Sequence, residues 1–372
     1  MKKYLLSISL IILLITLTAC KKDIINDTTL PTPTIKPTET VPVVTETPVA
    51  TTPPTKENTF TIQDYYPFQE DAEYIYEGLG NEYAAMNVWM DYNDASGNRI
   101  QTRTDNGGTE TVRVIEIKDG KLTVISSIGE CYYRDYLLDA EVTNEVEVLL
   151  MEPLVKGTEW TLPDNRKRYI SNAEVTIETP LGTYQALEVT TESTDSKTLD
   201  YYAPKVGLVK TIFLAGDSEI STSLKEIKTD TPFSKYMEFY YPDEDEKIYT
   251  EQKTLHFHTN DNTAIIIENA VKEDTVKGTY LPLISADTKI RALYLGKDSI
   301  AYIDFSKEFV EDMNVGASYE TLILQCITNT LGNYYGVQKV IITVDNKPYE
   351  SGHVAMEEGE AFTVDMDKVV SE

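Results

Sequence analysis

The sequence is organised around residues 301–345, AYIDFSKEFVEDMNVGASYETLILQCITNTLGNYYGVQKVIITVD. The first five residues are β-branched and aromatic enough to predict a strand. Ser318 is a suitable N-cap for a following helix. That helix has one apolar face, formed by Leu322, Ile323, Cys326, Ile327 and Thr330. We expect Gly332 and Gly336 to end it. Residues 337–344 then alternate as a second strand, with one face formed by Val340, Ile342 and Val344.

This stretch resembles the C-terminal half of the GerMN domain, a module of sporulation and spore-germination proteins. That family has a strand ending in valine-aspartate-leucine-serine, a helix ending in asparagine-threonine-leucine, and a strand opening on glycine-valine-x-lysine-valine. The matching positions are Asp304, Ser306, Asn329, Thr330, Leu331, Gly336, Val337, Lys339 and Val340. Phe305 stands where leucine is commoner, and Asn346 stands where glycine is usual. Asparagine tolerates the left-handed turn that glycine would make there.

The resemblance reaches back to about Lys235 and implies that residues 233–350 form a compact α/β sandwich akin to ring-building motifs. The pattern adds two strands at 236–241 and 248–257 and a hairpin at 290–305. A second helix is expected over 262–272, and its apolar side comprises Ile265, Ile266 and Ala270.

Asp304 and Ser306 match the family and allow two interpretations. Their side chains could contact a partner protein, or they could accept hydrogen bonds from nearby backbone amides and shape the turn that follows the strand. We favour the structural interpretation.

Residues 60–228 alternate short strands with turn residues, such as the hairpin turn Asp119-Gly120. This pattern predicts a mostly antiparallel twisted sheet or open barrel. Trp160, Tyr201 and Tyr202 are expected in its core. The oxygen-bearing side chains of residues 91–96 fit no EF-hand register, so we expect a hairpin turn there. The fold class is therefore α+β, with a mostly antiparallel β domain followed by the α/β sandwich.

Two further segments frame these domains. Residues 225–233 form a short polar bridge containing Pro232, which predicts a hinge between independently folded units. Residues 351–372 are acidic, and we expect a mobile C-terminal tail.

The N-terminus carries an export signal. Residues 1–20 are MKKYLLSISLIILLITLTAC and begin with two lysines after the first methionine. The apolar run that follows is too short for a transmembrane helix, which needs roughly 20 apolar residues. The run ends in a Leu-Thr-Ala-Cys sequence similar to a bacterial lipobox. We therefore expect a lipoprotein signal peptide with lipid attached to Cys20. Residues 21–59 are rich in Thr and Pro, cannot bury a core, and predict an extended disordered tether.

Charge and cysteine content narrow the possible functions. The formal net charge is −28 and becomes −30 once residues 1–19 with Lys2 and Lys3 are removed. Such an acidic chain repels nucleic acid, whose binding requires Lys and Arg contacts to phosphate. Besides Cys20 there are only Cys131 and Cys326. We expect both to be buried and unbridged, which is compatible with a Gram-positive cell surface.

The sequence contains little that suggests chemistry. His256 and His258 would share one face of a strand and could hold a metal with a third ligand, but we favour an ordinary surface pair. No nucleophile elbow, phosphate loop or dinucleotide motif occurs. We expect no enzymatic activity, no cofactor and no metal.

These observations lead to a functional hypothesis with one main alternative. The first is a non-enzymatic lipoprotein, anchored to the outer face of the cell membrane, whose α/β domain docks onto a protein assembly in sporulation or spore germination. The alternative is a surface protein whose β domain binds a glycan, lipid or peptide, and it would require a deep apolar cavity. A wall hydrolase would need an acid/base pair in a cleft.

Replacing Cys20 with alanine should release the protein from the membrane or leave an unprocessed precursor, because the sequence has no other apolar span. Incorporation of a labelled fatty acid measures this directly. Cys131→Ala is the control and should keep the label. Labelled Cys20→Ala protein would overturn the assignment of the anchor.

Overall fold

The computed structural model of the protein describes residues 60–139, 141–142, 146–275 and 280–370. The predicted signal peptide, the lipid-attachment residue Cys20 and the tether lie outside these ranges. Within them, no helix is both long and apolar enough to cross a membrane.

A short helix, α1 (Ile62–Tyr65), precedes a large antiparallel sheet in the part that we call the β region, residues 60–228. Within the described residues this sheet has twelve strands. They are β1 (Glu73–Leu79), β2 (Met86–Asn93), β3 (Arg99–Asp105), β4 (Glu110–Lys118), β5 (Lys121–Ile128), β6 (Glu147–Met151), β7 (Glu159–Thr161), β8 (Lys167–Glu178), β9 (Thr183–Glu192), β10 (Lys197–Ala203), β11 (Gly207–Ala215) and β12 (Ser218–Lys228).

The sheet is two six-stranded meanders joined where β1 pairs with β12, so that β6 and β7 lie at its opposite ends. Twelve flat strands would place those ends about 50 Å apart, at about 4.8 Å per strand. Residues 152–158, which connect β6 to β7, span about 25 Å at most. The sheet must therefore curl on itself, as the prediction of a twisted sheet or open barrel anticipated.

Side chains bridge the seam where the curled ends meet. Trp160 on β7 donates its indole N–H to the Val148 carbonyl on β6 at 3.0 Å, and Arg168 on β8 donates to the same oxygen at 2.8 Å. Apolar side chains of both halves pack together inside, among them Ile115, Leu122, Leu150, Ile170, Leu187 and Tyr202. Tyr201 and Tyr202 are buried as predicted.

The remaining elements form the α/β region, residues 233–370. They are β13 (Phe233–Pro242), β14 (Ile248–Phe257), α2 (Thr263–Lys272), β15 (Ile290–Leu295), β16 (Ala301–Phe305), α3 (Glu308–Glu311), α4 (Ala317–Tyr335), β17 (Lys339–Val344), β18 (Lys347–Pro348) and β19 (Phe362–Thr363). β13 and β14 form a two-stranded sheet. The second sheet runs β15-β16-β17, and both β18 and β19 pair with β17. One apolar core joins the two sheets and the helices.

The predicted apolar face of helix α4 is confirmed, since all five residues of that face are buried. Its ends differ from the prediction. Gly316 is the N-cap, and Ser318 lies inside the first turn, where its hydroxyl binds Glu246. Gly336 ends the helix in a left-handed conformation, as expected, but Gly332 lies within it. A side chain on Gly332 would collide with Val364, so this glycine permits a close contact instead.

In helix α2 the predicted start is confirmed, because Asn262 caps the amides of Ala264 and Ile265. The predicted apolar face is wrong in part. Ile265 is exposed, and Ile267 takes its place in the core. The buried residues of the helix, which are Thr263, Ala264, Ile267, Glu268 and Ala270, are spaced three or four apart along one side, and this spacing leaves Ile265 on the opposite side.

The expectation of a mobile C-terminal tail is wrong for the residues that the structure describes, which reach position 370. β19 pairs with β17, and Val369 forms a bridge to Ile248. Asn329 on α4 binds the backbone of Asp365 twice, donating to its carbonyl at 2.7 Å and accepting from its amide at 3.0 Å. The polar composition of this segment conceals its backbone pairing, which needs no apolar side chains.

The two regions meet at a buried polar interface rather than at a free hinge. The link between β12 and β13 is only four residues long, 229–232, and the described residues from 60 onward form one compact unit. The centre of the interface is Arg134, on the loop between β5 and β6, whose side chain is almost completely buried. Its guanidinium donates to the Tyr92 hydroxyl and the Asp91 carbonyl of the β region, at 2.6 and 2.8 Å.

The same guanidinium also binds the α/β region. It donates to the carbonyls of Asp261 and His258, at 2.6 and 3.1 Å, and to the Thr263 hydroxyl at 3.2 Å. The Arg134 backbone amide donates to the Tyr334 hydroxyl. Next to it, Asp135 accepts from the Tyr335 hydroxyl and from the Leu295 amide on the edge strand β15, each at 2.9 Å. Burial raises the pKa of Asp135.

Replacing Arg134 with methionine should lower the free energy of unfolding by about 3 kcal/mol, because it leaves buried acceptors from both regions unpaired. Chemical denaturation monitored by tryptophan fluorescence measures the change. Arg166→Met is the control, since its ion pair with Asp164 is exposed and should cost less than about 0.5 kcal/mol. Equal stability of the two variants would contradict a structural role for this interface.

Candidate functional site

One face of the second sheet of the α/β region forms an open groove. Along β16, Ala301, Ile303 and Phe305 point into the core, so Tyr302 and Asp304 lie on the opposite face. β17 adds Ile341 and Thr343 to that face, and β15 adds Tyr294. Together with the overhanging residues 356–360 they line a groove of about 390 Å³. We call this the sheet groove.

Two tyrosines form the floor of the sheet groove. The rings of Tyr294 and Tyr302 stack with centroids 5.0 Å apart and an interplanar angle of 4°. Tyr302 donates its hydroxyl to Asp298 at 2.8 Å, while Tyr294 remains 47% exposed. A stacked pair with one open ring is suited to receive an apolar or cationic side chain.

The rim of the sheet groove is acidic. Glu357, Glu358 and Glu360 are all exposed and line it. Carboxylates beside aromatic rings favour a basic ligand, because they attract positive charge to the site where the rings can bind it.

Asp304 and Ser306 have the predicted backbone contacts. Asp304 accepts from the Asn346 amide at 2.8 Å and the Thr343 hydroxyl at 2.6 Å. Ser306 accepts from the Lys289 amide at 3.0 Å. Asn346 has a positive φ of 60°, which is the left-handed turn expected of it. Both side chains therefore hold the strand ends in place, while Asp304 also lines the sheet groove.

The histidines do not converge on one site. His256 binds the Ser234 hydroxyl, His258 binds Asp71, and His353 binds Glu320 at 2.7 Å. Burial opposes ionisation of Glu320, but hydrogen bonds from Ser351, His353 and Tyr349 together lower its pKa. Among the described residues, no group of three His, Cys, Asp or Glu side chains is arranged to hold a metal. Cys131 and Cys326 are buried and unbridged, as predicted.

The β region offers a second concave site. The inner face of its curled sheet lines a cavity of about 390 Å³ with both apolar and charged side chains. The predicted hairpin turn is confirmed at residues 94–99, where Asp94 accepts from the amides of Asn98 and Arg99. Asp91 is instead buried against Arg103 at 3.1 Å.

The sequence analysis missed several of these residues. Some of them had a recognisable local pattern in the sequence, and others had none. Tyr294 and Tyr302 could have been found, because they lie two residues before and four residues after the turn at 296–298, on the two strands of the predicted hairpin. Arg103, Arg134 and Asp135 had no local signal, since a charged residue in a strand or loop is exposed in most proteins. Their burial depends on partners far away in the sequence.

Residues 238–350 match the family model Germane, described as sporulation and spore germination. The match covers less than a third of the chain and confirms the resemblance of the α/β region. Comparison with curated proteins gives no match.

Three solved structures show local likeness. The tandem GerMN domains of the sporulation protein GerM from Bacillus subtilis are 18% identical, with a TM-score of 0.26, over 35% of this chain. The chain spans 46% of that structure's length. A Clostridium perfringens protein described as a lipoprotein is 24% identical over 36% of this chain and 87% of its own, with a TM-score of 0.24. A Parabacteroides distasonis protein, also described as a lipoprotein, is 16% identical over 44% of this chain and 98% of its own length, with a TM-score of 0.26.

Replacing Asp304 with alanine should lower the free energy of unfolding by about 2 kcal/mol, because the Asn346 amide and the Thr343 hydroxyl lose their shared acceptor. Thermal or urea unfolding measures the loss. The exposed Asp367 offers a matched control, and Asp367→Ala should change stability by less than about 0.5 kcal/mol. An Asp304→Ala protein as stable as the control would favour the partner-contact interpretation instead.

Proposed function

We propose that this chain is a membrane-anchored, non-enzymatic surface lipoprotein whose α/β region docks onto a protein assembly in sporulation or spore germination. The family match of residues 238–350 supports the biological context. The observation that carries the docking is the sheet groove, where the stacked tyrosines leave an aromatic surface open beside an acidic rim.

The composition of the sheet groove favours a protein partner with a basic segment. Tyrosine is enriched at the centres of protein interfaces, where it combines a large apolar area with few rotatable bonds. Glu357, Glu358 and Glu360 add negative charge at the rim, and the whole chain carries −28. A Lys- or Arg-containing loop would meet both features, since its aliphatic stem covers the rings and its charge pairs with the rim.

The predicted anchor and tether complete the proposal. Lipid on Cys20 would hold the chain at the membrane, and residues 21–59 would let the folded part reach on the order of 100 Å from it at about 3.1 Å per residue. Confinement to this layer raises the effective concentration of the groove near membrane-bound partners. A contact of low intrinsic affinity at the groove is then sufficient for docking.

Point substitutions test the groove more sharply than deletion of residues 235–346. Deletion would also uncover Arg134 and Asp135, whose partners lie in the deleted part. In a spore-forming host, Tyr294→Ser and the double substitution Glu357→Lys with Glu358→Lys should each reduce the yield of heat-resistant or germination-competent spores by tenfold or more. Membrane location and protein level should not change.

Two variants serve as matched controls outside the groove. Tyr236 is 70% exposed on β13, and Glu244 is exposed between β13 and β14. Tyr236→Ser and Glu244→Lys should both give wild-type spores. A photo-crosslinker at position 294, but not at position 236, should join the protein to a partner. Normal spore yields from both groove variants would refute docking at this site.

A further inference from the structure

The cavity inside the β region is large enough to hold a small organic molecule. Its volume of about 390 Å³ falls in the range of ligand pockets, about 300–1,000 Å³. Its walls come from the inner faces of β1 to β4 on one side and of β6, β8 and β10 to β12 on the other. Much of this surface is apolar, including Met86, Val88 and Leu149.

Four tyrosines line the same cavity, and two of them have hydroxyl groups to spare. Tyr76 donates to the Leu208 carbonyl at 2.8 Å, and Tyr74 donates to Gln69 at 3.3 Å. Among the described residues, the hydroxyls of Tyr66 and Tyr202 bind no protein group. Burial raises the pKa of Tyr66 to about 12, so its hydroxyl keeps its proton at neutral pH and can donate it to a ligand.

The charged side chains of the cavity leave one cation without a counter-ion. Arg168 is occupied by Glu147 at 2.7 Å and by backbone and hydroxyl acceptors. Arg166 pairs with Asp164 at the surface. Arg113 also lines the cavity, and the described residues give it no hydrogen bond or ion pair.

The carboxyl group of Asp200 also lines the cavity. Asp200 accepts from the Thr211 hydroxyl at 2.8 Å. Burial raises the pKa of Asp200, which disfavours its charged form. The cavity therefore combines an exposed arginine that has no ion pair within the described residues with a neutral phenol and an apolar wall.

We propose that this cavity binds an amphipathic monocarboxylate, whose carboxylate lies between Arg113 and Tyr66 and whose apolar chain lies against Met86, Val88 and Leu149. A carboxylate matches the planar donors of one guanidinium. A phosphate dianion would bring a second negative charge into the cavity, which Glu147 also lines, with no further free cation to balance it. The proposal is independent of docking at the sheet groove.

Displacement of cis-parinaric acid from the purified chain 21–372 tests this binding. Oleate should displace the fluorescent probe at micromolar concentrations. Methyl oleate, which lacks the charge, and lysophosphatidic acid, which carries a phosphate, should each be at least tenfold weaker. Equal binding of methyl oleate would overturn the role of the carboxylate, and stronger binding of lysophosphatidic acid would overturn the choice of anion.

Substitutions distinguish the contribution of the charged end of the cavity to binding from that of the apolar wall. Arg113→Met should weaken oleate binding about tenfold or more, as expected for loss of a charge-assisted hydrogen bond, while Arg113→Lys should retain most of the affinity. Val88→Phe should weaken the binding of oleate and of methyl oleate to the same extent, because the larger side chain occupies the space next to the apolar wall. Arg291→Met, an exposed arginine of the α/β region, is the control and should bind as wild type.

Circular dichroism and a thermal midpoint confirm that each variant is folded before binding is measured. Absence of binding by the wild-type chain, or unchanged oleate affinity in Arg113→Met, refutes the proposal. Normal spore yields from groove variants would leave it untouched, because those variants do not alter the cavity.

Discussion

The structure depends on the buried guanidinium of Arg134. Burying a charge costs several kcal/mol unless the charge is paired and hydrogen-bonded. The two terminal nitrogens of Arg134 find acceptors in both regions: Asp91 and Tyr92 on one side, His258, Asp261 and Thr263 on the other. Three of these acceptors are backbone carbonyls, which are positioned only when both chain segments are folded. The arginine therefore fixes the orientation of the two regions more strictly than their short connection does.

Cation–π contacts strengthen the same constraint. The guanidinium carbon of Arg134 lies 4.1 Å from the ring centre of Tyr92 and 5.0 Å from that of Phe257. Arg103, equally buried, binds Asp91 and Glu110 and stacks over Phe233 at 5.0 Å. A pair of arginines thus adds charged contacts to the aromatic contacts that also join the regions, such as those of Trp89 with Phe233 and of Tyr133 with Tyr335. Such an interface specifies one geometry, because apolar surfaces can slide whereas unpaired buried charges cannot.

Local patterns in the sequence predicted those parts of the fold that local physics decides. The buried face of α4, the hairpin of β13 and β14 and the left-handed turn at Asn346 follow from periodicity and turn chemistry alone. The prediction failed where partners are distant: Asp71 binds Thr259, 188 residues away, and Arg134 binds Tyr334, 200 residues away. The sequence pattern of β16 indicated part of the sheet groove, because the alternation of the strand places Tyr302 and Asp304 on one face. No feature of the sequence distinguished Arg113 from any other arginine in a strand.

The pairing of β1 with β12 has a consequence for the order of events during synthesis. A chain emerging from its N-terminus exposes β1 at Glu73, but its outer partner begins only at Ser218, 145 residues later. At about 5–20 residues per second the interval is roughly 7–30 s. Throughout it β1 is an open edge that can pair with any other strand. The chain therefore passes through a long window of aggregation risk, which ends only when its last strands arrive and close the sheet.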